Sequence, residues 1–207
     1  RLNTSQRILL RLLLSIDEAE LSQTEAIQLV ERITDYIDSD RTPRLDGAED
    51  ERYLSSAFPY RAANRAIASV SELRAVDGIT PELYKRIAPF LSVWPDDGSK
   101  INILTAPAEV LAALNEDDSL EPLSQQQVAQ IIELRTNGML VDVDSFLESP
   151  LFSEDSAADL RAMVDVKSSW FLLDSRVDIA DRERRLYSVL HRQGRAISIV
   201  HRTEGEL

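Results

Sequence analysis

Seven carboxylates crowd the segment Asp35-Tyr36-Ile37-Asp38-Ser39-Asp40-Arg41-Thr42-Pro43-Arg44-Leu45-Asp46-Gly47-Ala48-Glu49-Asp50-Glu51, beside one proline and one glycine. Like charges at that density repel one another. Either water solvates them on a loop, or a hard divalent cation sits among them, since Ca²⁺ takes six to eight oxygen ligands. The spacing Asp38-x-Asp40 resembles the opening of an EF-hand loop. The next ligand position holds Thr42, however, and the obligatory glycine position holds Pro43, so this is not an EF-hand. With no imidazole or thiolate nearby, an oxygen-only donor set favours Ca²⁺ or Mg²⁺ over zinc. Catalysis finds little support elsewhere. The only histidines, His191 and His201, fall among arginines in strand-like text, and the chain has neither a G-x-S-x-G elbow nor a glycine-rich phosphate loop. We therefore expect no enzyme.

The carboxylates have to be held by the elements on either side. Ser22 and Glu25 form a capping box, and Ala26, Val30, Ile33 and Ile37 recur at helical spacing, so a helix from Ser22 delivers Asp35, Asp38 and Asp40 to its C-terminal end. There the macrodipole is already negative, and a bound cation would relieve both repulsions. Upstream, a first helix is expected to run from the N-terminus to about Ala19, with the apolar run Ile8-Leu9-Leu10-Arg11-Leu12-Leu13-Leu14-Ser15-Ile16. Opening on Arg1, it reads as the lower part of a longer helix.

From residue 57 the text becomes short capped helices. Thr80 precedes Pro81, Thr105 precedes the run from Ala106, and Ser124 boxes with Gln127. Residues 94–98 and 115–119 separate the halves of this block. After Val166 the period switches to two, through Trp170 to Ala180, Arg184 to Arg192, and a Gln193-Gly194 turn into Ala196 to His201, which predicts an antiparallel meander. A short meander needs a packing partner. The N-terminal helix is the expected lid, and residues 57–165 then read as a helical insertion between 1–56 and 166–207. The surplus apolar surface of that helix predicts a protein-docking face at Leu9, Leu12, Leu13 and Ile16.

Composition excludes several classes. A net charge of −13 and a pI near 4.6 oppose binding to phosphate backbones, which needs clustered Lys and Arg. Cysteine is absent, so there is neither a disulfide nor a Cys-based zinc site, and no apolar run reaches the roughly 18 residues that span a bilayer. Two segments, residues 72–83 and 101–147, resemble helix-hairpin-helix units. In the second, Asn115-Glu116-Asp117-Asp118-Ser119-Leu120-Glu121 replaces the basic hairpin that would hold DNA. No nucleic acid is expected as a partner, and a competence-type DNA-uptake protein is the alternative reading.

In this order, Asp35-Tyr36-Ile37-Asp38-Ser39-Asp40, Gly47-Ala48-Glu49, Tyr53, Tyr60-Arg61-Ala62-Ala63-Asn64-Arg65, Ser71-Glu72-Leu73, Ile101-Asn102-Ile103-Leu104-Thr105-Ala106 and the late arginine-bearing strands resemble the K-type minor pseudopilins of bacterial type II (general) secretion. The family usually reads Asp-Trp-Leu-Asp where Asp35-Tyr36-Ile37-Asp38 stands and a second Asn at Leu104, and some members carry a disulfide. The resemblance implies an α+β fold. A pilin-like domain (1–56 and 166–207), its N-terminal helix packed on antiparallel strands, would carry an inserted all-helical domain (57–165) with helix-hairpin-helix/SAM-like units. It further implies calcium held by Asp38, Asp40, Asp46, Glu49 and Asp50, and assembly with the I-type and J-type minor pseudopilins at the pseudopilus tip. The full-length form would be anchored in the inner membrane by an N-terminal helix absent from this chain, facing the periplasm, with the bulky inserted domain capping the filament.

Overall fold

The computed structural model describes residues 2–95 and 98–204, except the side chains of residues 154–157. Arg1, and Asp96 and Asp97 of the expected linker, lie outside the described residues. The chain is α+β. Helix α1 (Thr4–Ser15) opens on a capping box in which Asn3 Oδ1 accepts from the Gln6 amide at 2.9 Å and Gln6 Oε1 accepts from the Asn3 amide at 2.8 Å. A single turn at Asp17–Ala19, ended by Glu20 in the left-handed region, reverses the chain into α2 (Gln23–Ile37), which carries the predicted Ser22–Glu25 box. Then follow α3 (Asp50–Leu54), α4 (Pro81–Ile87), β1 (Ile101–Asn102), α5 (Ala108–Ala112), α6 (Gln125–Thr136), α7 (Val143–Leu147), α8 (Glu154–Met163) and β2 (Val164–Asp165). The meander β3 (Trp170–Ile179), β4 (Arg182–Gln193) and β5 (Ala196–Thr203) closes the chain.

Two cores organise the helices. The first is built from α1, α2, α3, α4 and the intervening loops, with Leu10, Leu13, Val30, Tyr53 and Ile87 at its centre. The second runs from Ile103 to Val164 around Leu111, Leu114, Ile131 and Phe146, and parallel pairing of β1 with β2 closes it at its own ends. Arg11, buried in α1, joins the two, because its Nη1 donates to the carbonyls of Ala113 at 3.0 Å and Asn115 at 2.5 Å. Arg7 forks onto the Asp117 carboxylate beside it.

This arrangement corrects the expected layout. Helix α1 packs on α2 and α5 and shares one core with residues as far along as Ala113 and Leu120, so residues 1–56 pack with the helical region and not with the meander. The reason is chain connectivity. A tight reversal over residues 16–22 makes α1 and α2 an antiparallel hairpin at little loop-closure cost, whereas the meander lies more than a hundred residues away. Among the described residues, none of β3–β5 belongs to either helical core.

The meander itself is as predicted. β4 is central, antiparallel to both neighbours, with Trp170 opposite His191 and Ile179 opposite Arg182. A bulge leaves Val200 unpaired, since Val189 faces His201 and Leu190 faces Ile199. Alternation sorts the side chains into two faces. One carries Trp170, Leu172, Tyr187 and Val189, which border a cleft with Val70, Tyr84 and Trp94 of the helical region. The other carries Phe171, Leu173, Val177, Ile179, Ile197 and Ile199, all exposed. Residues 170–203 contain seven arginines against four carboxylates, the reverse of the chain as a whole.

Candidate metal centre

Helix α2 ends where its cap, Asp38, turns extended and its amide donates to Thr34 O at 2.9 Å. The loop that follows returns to Glu49, the N-cap of α3, whose carbonyl accepts from the Arg52 amide at 2.9 Å. Two helix termini thus converge. One carboxylate oxygen from each of Asp38, Asp40 and Glu49 lies within 4.8 Å of the others, and no other such group of three occurs among the described residues. Glu49 is 6% exposed. Neither of its oxygens has a hydrogen-bond partner, and Asp38 Oδ1 is likewise buried and unpartnered. Burial and then the charges of Asp35, Asp38, Asp40 and Asp50 raise the Glu49 pKa. An ionised carboxylate in such a place is costly unless a cation or donors meet it. The pattern of orphaned oxygens therefore fits a hard cation.

Asp35 supports the loop from behind. Fully buried, it accepts from the Arg44 amide at 3.0 Å and lies 3.3 Å from Arg44 Nε, and burial raises its pKa against those contacts. Arg44 Nη2 also reaches Asp38 Oδ2 at 3.3 Å, and the Thr42 amide caps Asp40 Oδ1 at 2.8 Å. An open cleft of about 610 Å³ over Gly47, Ala48 and Glu49 gives solvent access.

Three of the five carboxylates proposed as ligands meet, and two do not. Asp50 is turned away, accepting from the Ala62 amide at 3.1 Å and pairing with Arg61 at 2.9 Å. Asp46 is engaged through its backbone, its amide donating to Glu31 at 2.7 Å and its carbonyl accepting from Arg32 at 3.4 Å, and its side chain is outside the trio. Sequence reasoning missed Asp35 as a buttress. It also missed Asn64, which has φ 46° and donates its amide to Tyr36 O at 3.0 Å while its own Oδ1 is buried and unpartnered. An asparagine inside a conspicuous motif was the available signal, since Asn is enriched at positive φ.

The predicted docking residues are core. Leu12, Leu13 and Ile16 are 6%, 1% and 4% exposed, and Leu9 packs half-buried against the same cluster. The apolar excess of α1 is consumed by α2 on one side and the second helical core on the other. The hairpin at Asp77-Gly78 is tied down by arginines, although Gly78 itself is exposed. Gly78 sits at φ 90° with Arg32 Nη1 2.7 Å from where a Cβ would stand, and Asp77 binds Arg32 and Arg52. His191 stacks on its cross-strand partner Trp170 at 4.2 Å within the sheet, and His201 stacks at 5.9 Å on Trp94, in the loop after α4, so both are packing residues.

Residues 1–96 and 101–167 match the two families described as type II secretion system (T2SS), protein K. The chain is 32% identical over 195 residues to the type II secretion system protein K of Pectobacterium carotovorum subsp. carotovorum, covering 94% of this chain and 58% of that protein. It is 33% identical over 165 residues to the corresponding protein of Pseudomonas aeruginosa, covering 79% and 46%. A chain in the crystal structure of the GspK-GspI-GspJ complex from enterotoxigenic Escherichia coli superposes with a TM-score of 0.76 at 25% identity, covering 100% of this chain and 73% of that one. The chain spans about half the length of the curated relatives it matches. By sequence and by fold, this chain belongs to the type II secretion system protein K family.

Proposed function

We propose that the chain is the periplasmic part of a minor pseudopilin that works at the tip of the secretion pseudopilus, together with I-type and J-type partners. The observation that carries an assembly role is the meander's outer face. Six large apolar side chains from Phe171 to Ile199 stand exposed on one face of the sheet, more than a lone soluble domain ordinarily leaves to water. In a pilin-like arrangement an apolar helix covers such a sheet, and the two helical cores stand clear of it as a bulky cap. The complex named for the structural neighbour makes I-type and J-type subunits the partners to test. No helix among the described residues is long and apolar enough to cross a membrane, so an inner-membrane anchor would belong to a further segment.

The same reading assigns calcium to Asp38, Asp40 and Glu49, with Asn64 a candidate fourth oxygen and Asp35 the buttress. Buried, unpartnered oxygens on Asp38, Glu49 and Asn64 support the ion. Its role would be structural, joining the end of α2 to the start of α3. We read the protein as non-enzymatic. The DNA-uptake alternative is disfavoured because the acidic loop at Asp117 is fastened to α1 by Arg7, and the exposed hairpin at Gly78 carries the carboxylate of Asp77 where a phosphate backbone would need free cations. The test is co-purification with the I-type and J-type proteins of the same secretion system, with calcium and with chelator. A parent chain that forms no complex in either condition would overturn the assembly reading, and a melting temperature indifferent to calcium would overturn the metal.

A further inference from the structure

Away from the carboxylate trio and the sheet, a trough of about 450 Å³ lies between the end of α1 and helices α5 and α6. Its walls follow helical spacing. Gln125, Val128, Ala129 and Ile132 form the i, i+3, i+4, i+7 stripe of α6, and Ala108 and Ala112 are one turn apart on α5. Small side chains on both walls leave room for a third backbone at close range. The stripe on α6 is about 10 Å long, two turns of helix at 1.5 Å per residue.

The rim is acidic. Asp17, Glu109 and Glu121 are the only charged residues lining the trough. By contrast, Asp117 is paired with Arg7, Asp50 with Arg61 and Asp77 with Arg32 and Arg52. These three form no ion pair among the described residues, and the Glu121 carboxylate accepts from the side-chain amide of Gln23 at 2.8 Å. The field over the trough is therefore negative and uncompensated by the chain itself, which selects a cation-bearing partner.

We propose that this trough is a docking groove for a basic amphipathic helical segment of a partner protein. Apolar side chains would seat on Ala108, Ala112, Ala129 and Ile132, and Lys or Arg would meet Asp17, Glu109 and Glu121, in the helix-in-groove mode. The groove is separate from the proposed calcium site and from the exposed sheet, so neither needs to be right for this to hold.

The probe is a synthetic peptide of about 15 residues, the length at which an isolated helix begins to hold, with leucines at i, i+3, i+4 and i+7 and lysines opposite. Binding is read by heteronuclear NMR and titration calorimetry against the whole chain. The expected result is shift changes centred on Ala108, Ala112, Ala129 and Ile132, and about tenfold weaker binding for Ala129→Arg, which fills and charges the groove, at unchanged melting. Gln130→Arg adds the same charge on the opposite side of α6 and should leave binding within about twofold. Glu109→Gln and Glu121→Gln together keep the walls and should weaken the peptide. Equal binding by Ala129→Arg, equal binding of a scrambled peptide of the same composition, or shifts mapping elsewhere would each overturn the groove.

Discussion

Gly47 lies directly against the carboxylate of Asp35. A Cβ at position 47 would stand 1.8 Å from Asp35 Oδ2 and 2.7 Å from its Cγ, inside any permissible contact. The glycine is therefore set by a side chain, and the side chain is fully buried and cannot swing to water. Gly47→Ala should cost about 1–3 kcal/mol, as overpacking does, and should weaken calcium binding by displacing the loop that ends in Glu49. Thermal melting with and without calcium checks both. A variant that melts like the parent would mean that Asp35 has somewhere to go.

Calcium should raise the melting temperature of the parent chain, and chelator should lower it. At a hundredfold excess over Kd, binding to the native state alone contributes about 2.7 kcal/mol. For a chain of this size that is on the order of 5–10 °C. Glu49→Gln removes the buried charge and should be stable without metal while losing most of the calcium response. Asp50→Asn, which disturbs only the pair with Arg61, should keep that response. Protons compete for the same oxygens, since the pKa of Glu49 is raised, so the calcium response should fade as the medium is acidified.

Leu13→Ala should destabilise the chain by about 2–5 kcal/mol, because the side chain is buried between α1 and α2. Leu173→Glu, on the open face of the meander, should leave melting of the isolated chain nearly unchanged and abolish co-purification with I-type and J-type partners. The opposite pattern would return the docking surface to α1.

The Arg7–Asp117 pair makes a pH prediction. The hydrogen bond from Arg7 holds the Asp117 carboxyl below the ordinary value of about 3.9. A carboxyl depressed in the folded state contributes stability that is complete above the unfolded pKa and lost as pH falls through the folded one. Asp117→Asn should therefore cost about 1–3 kcal/mol near neutral pH, and the gap to the parent should close as the pH falls below the ordinary carboxylate range. Acid unfolding curves of the two proteins measure it.

Local chemistry was legible in the sequence, and partnership was not. The boxes at Ser22–Glu25 and Ser124–Gln127, the Pro81 helix start and the Gly194 turn all form where residue type alone dictates, because each depends on neighbours three or four positions away. The apolar stripe of α1 announced a buried face without saying what buries it. A seven-residue reversal decided for α2, and the meander was left open. Arg11 reads as surface charge in a leucine run, yet it is buried because two carbonyls and nearby carboxylates more than a hundred residues away receive it. Within the acidic loop, Asp38 and Glu49 announced themselves by charge. Asp46 and Asp50 looked equivalent to them, and only the position of Arg61 and the path of the loop separate the converging carboxylates from the tethered ones.

The imbalance of arginine over carboxylate in residues 170–203, set against a chain at −13, gives the molecule a permanent electrical axis running from sheet to helices. In solution such an axis applies a torque before any surfaces touch. A negatively charged object is met strands first, and a positively charged one is met by the helical end, where the trough beside α6 opens. Orientation on approach is thus biased by where the chain keeps its arginines, and this bias should weaken as added salt shortens the reach of the field to about 10 Å at 0.1 M.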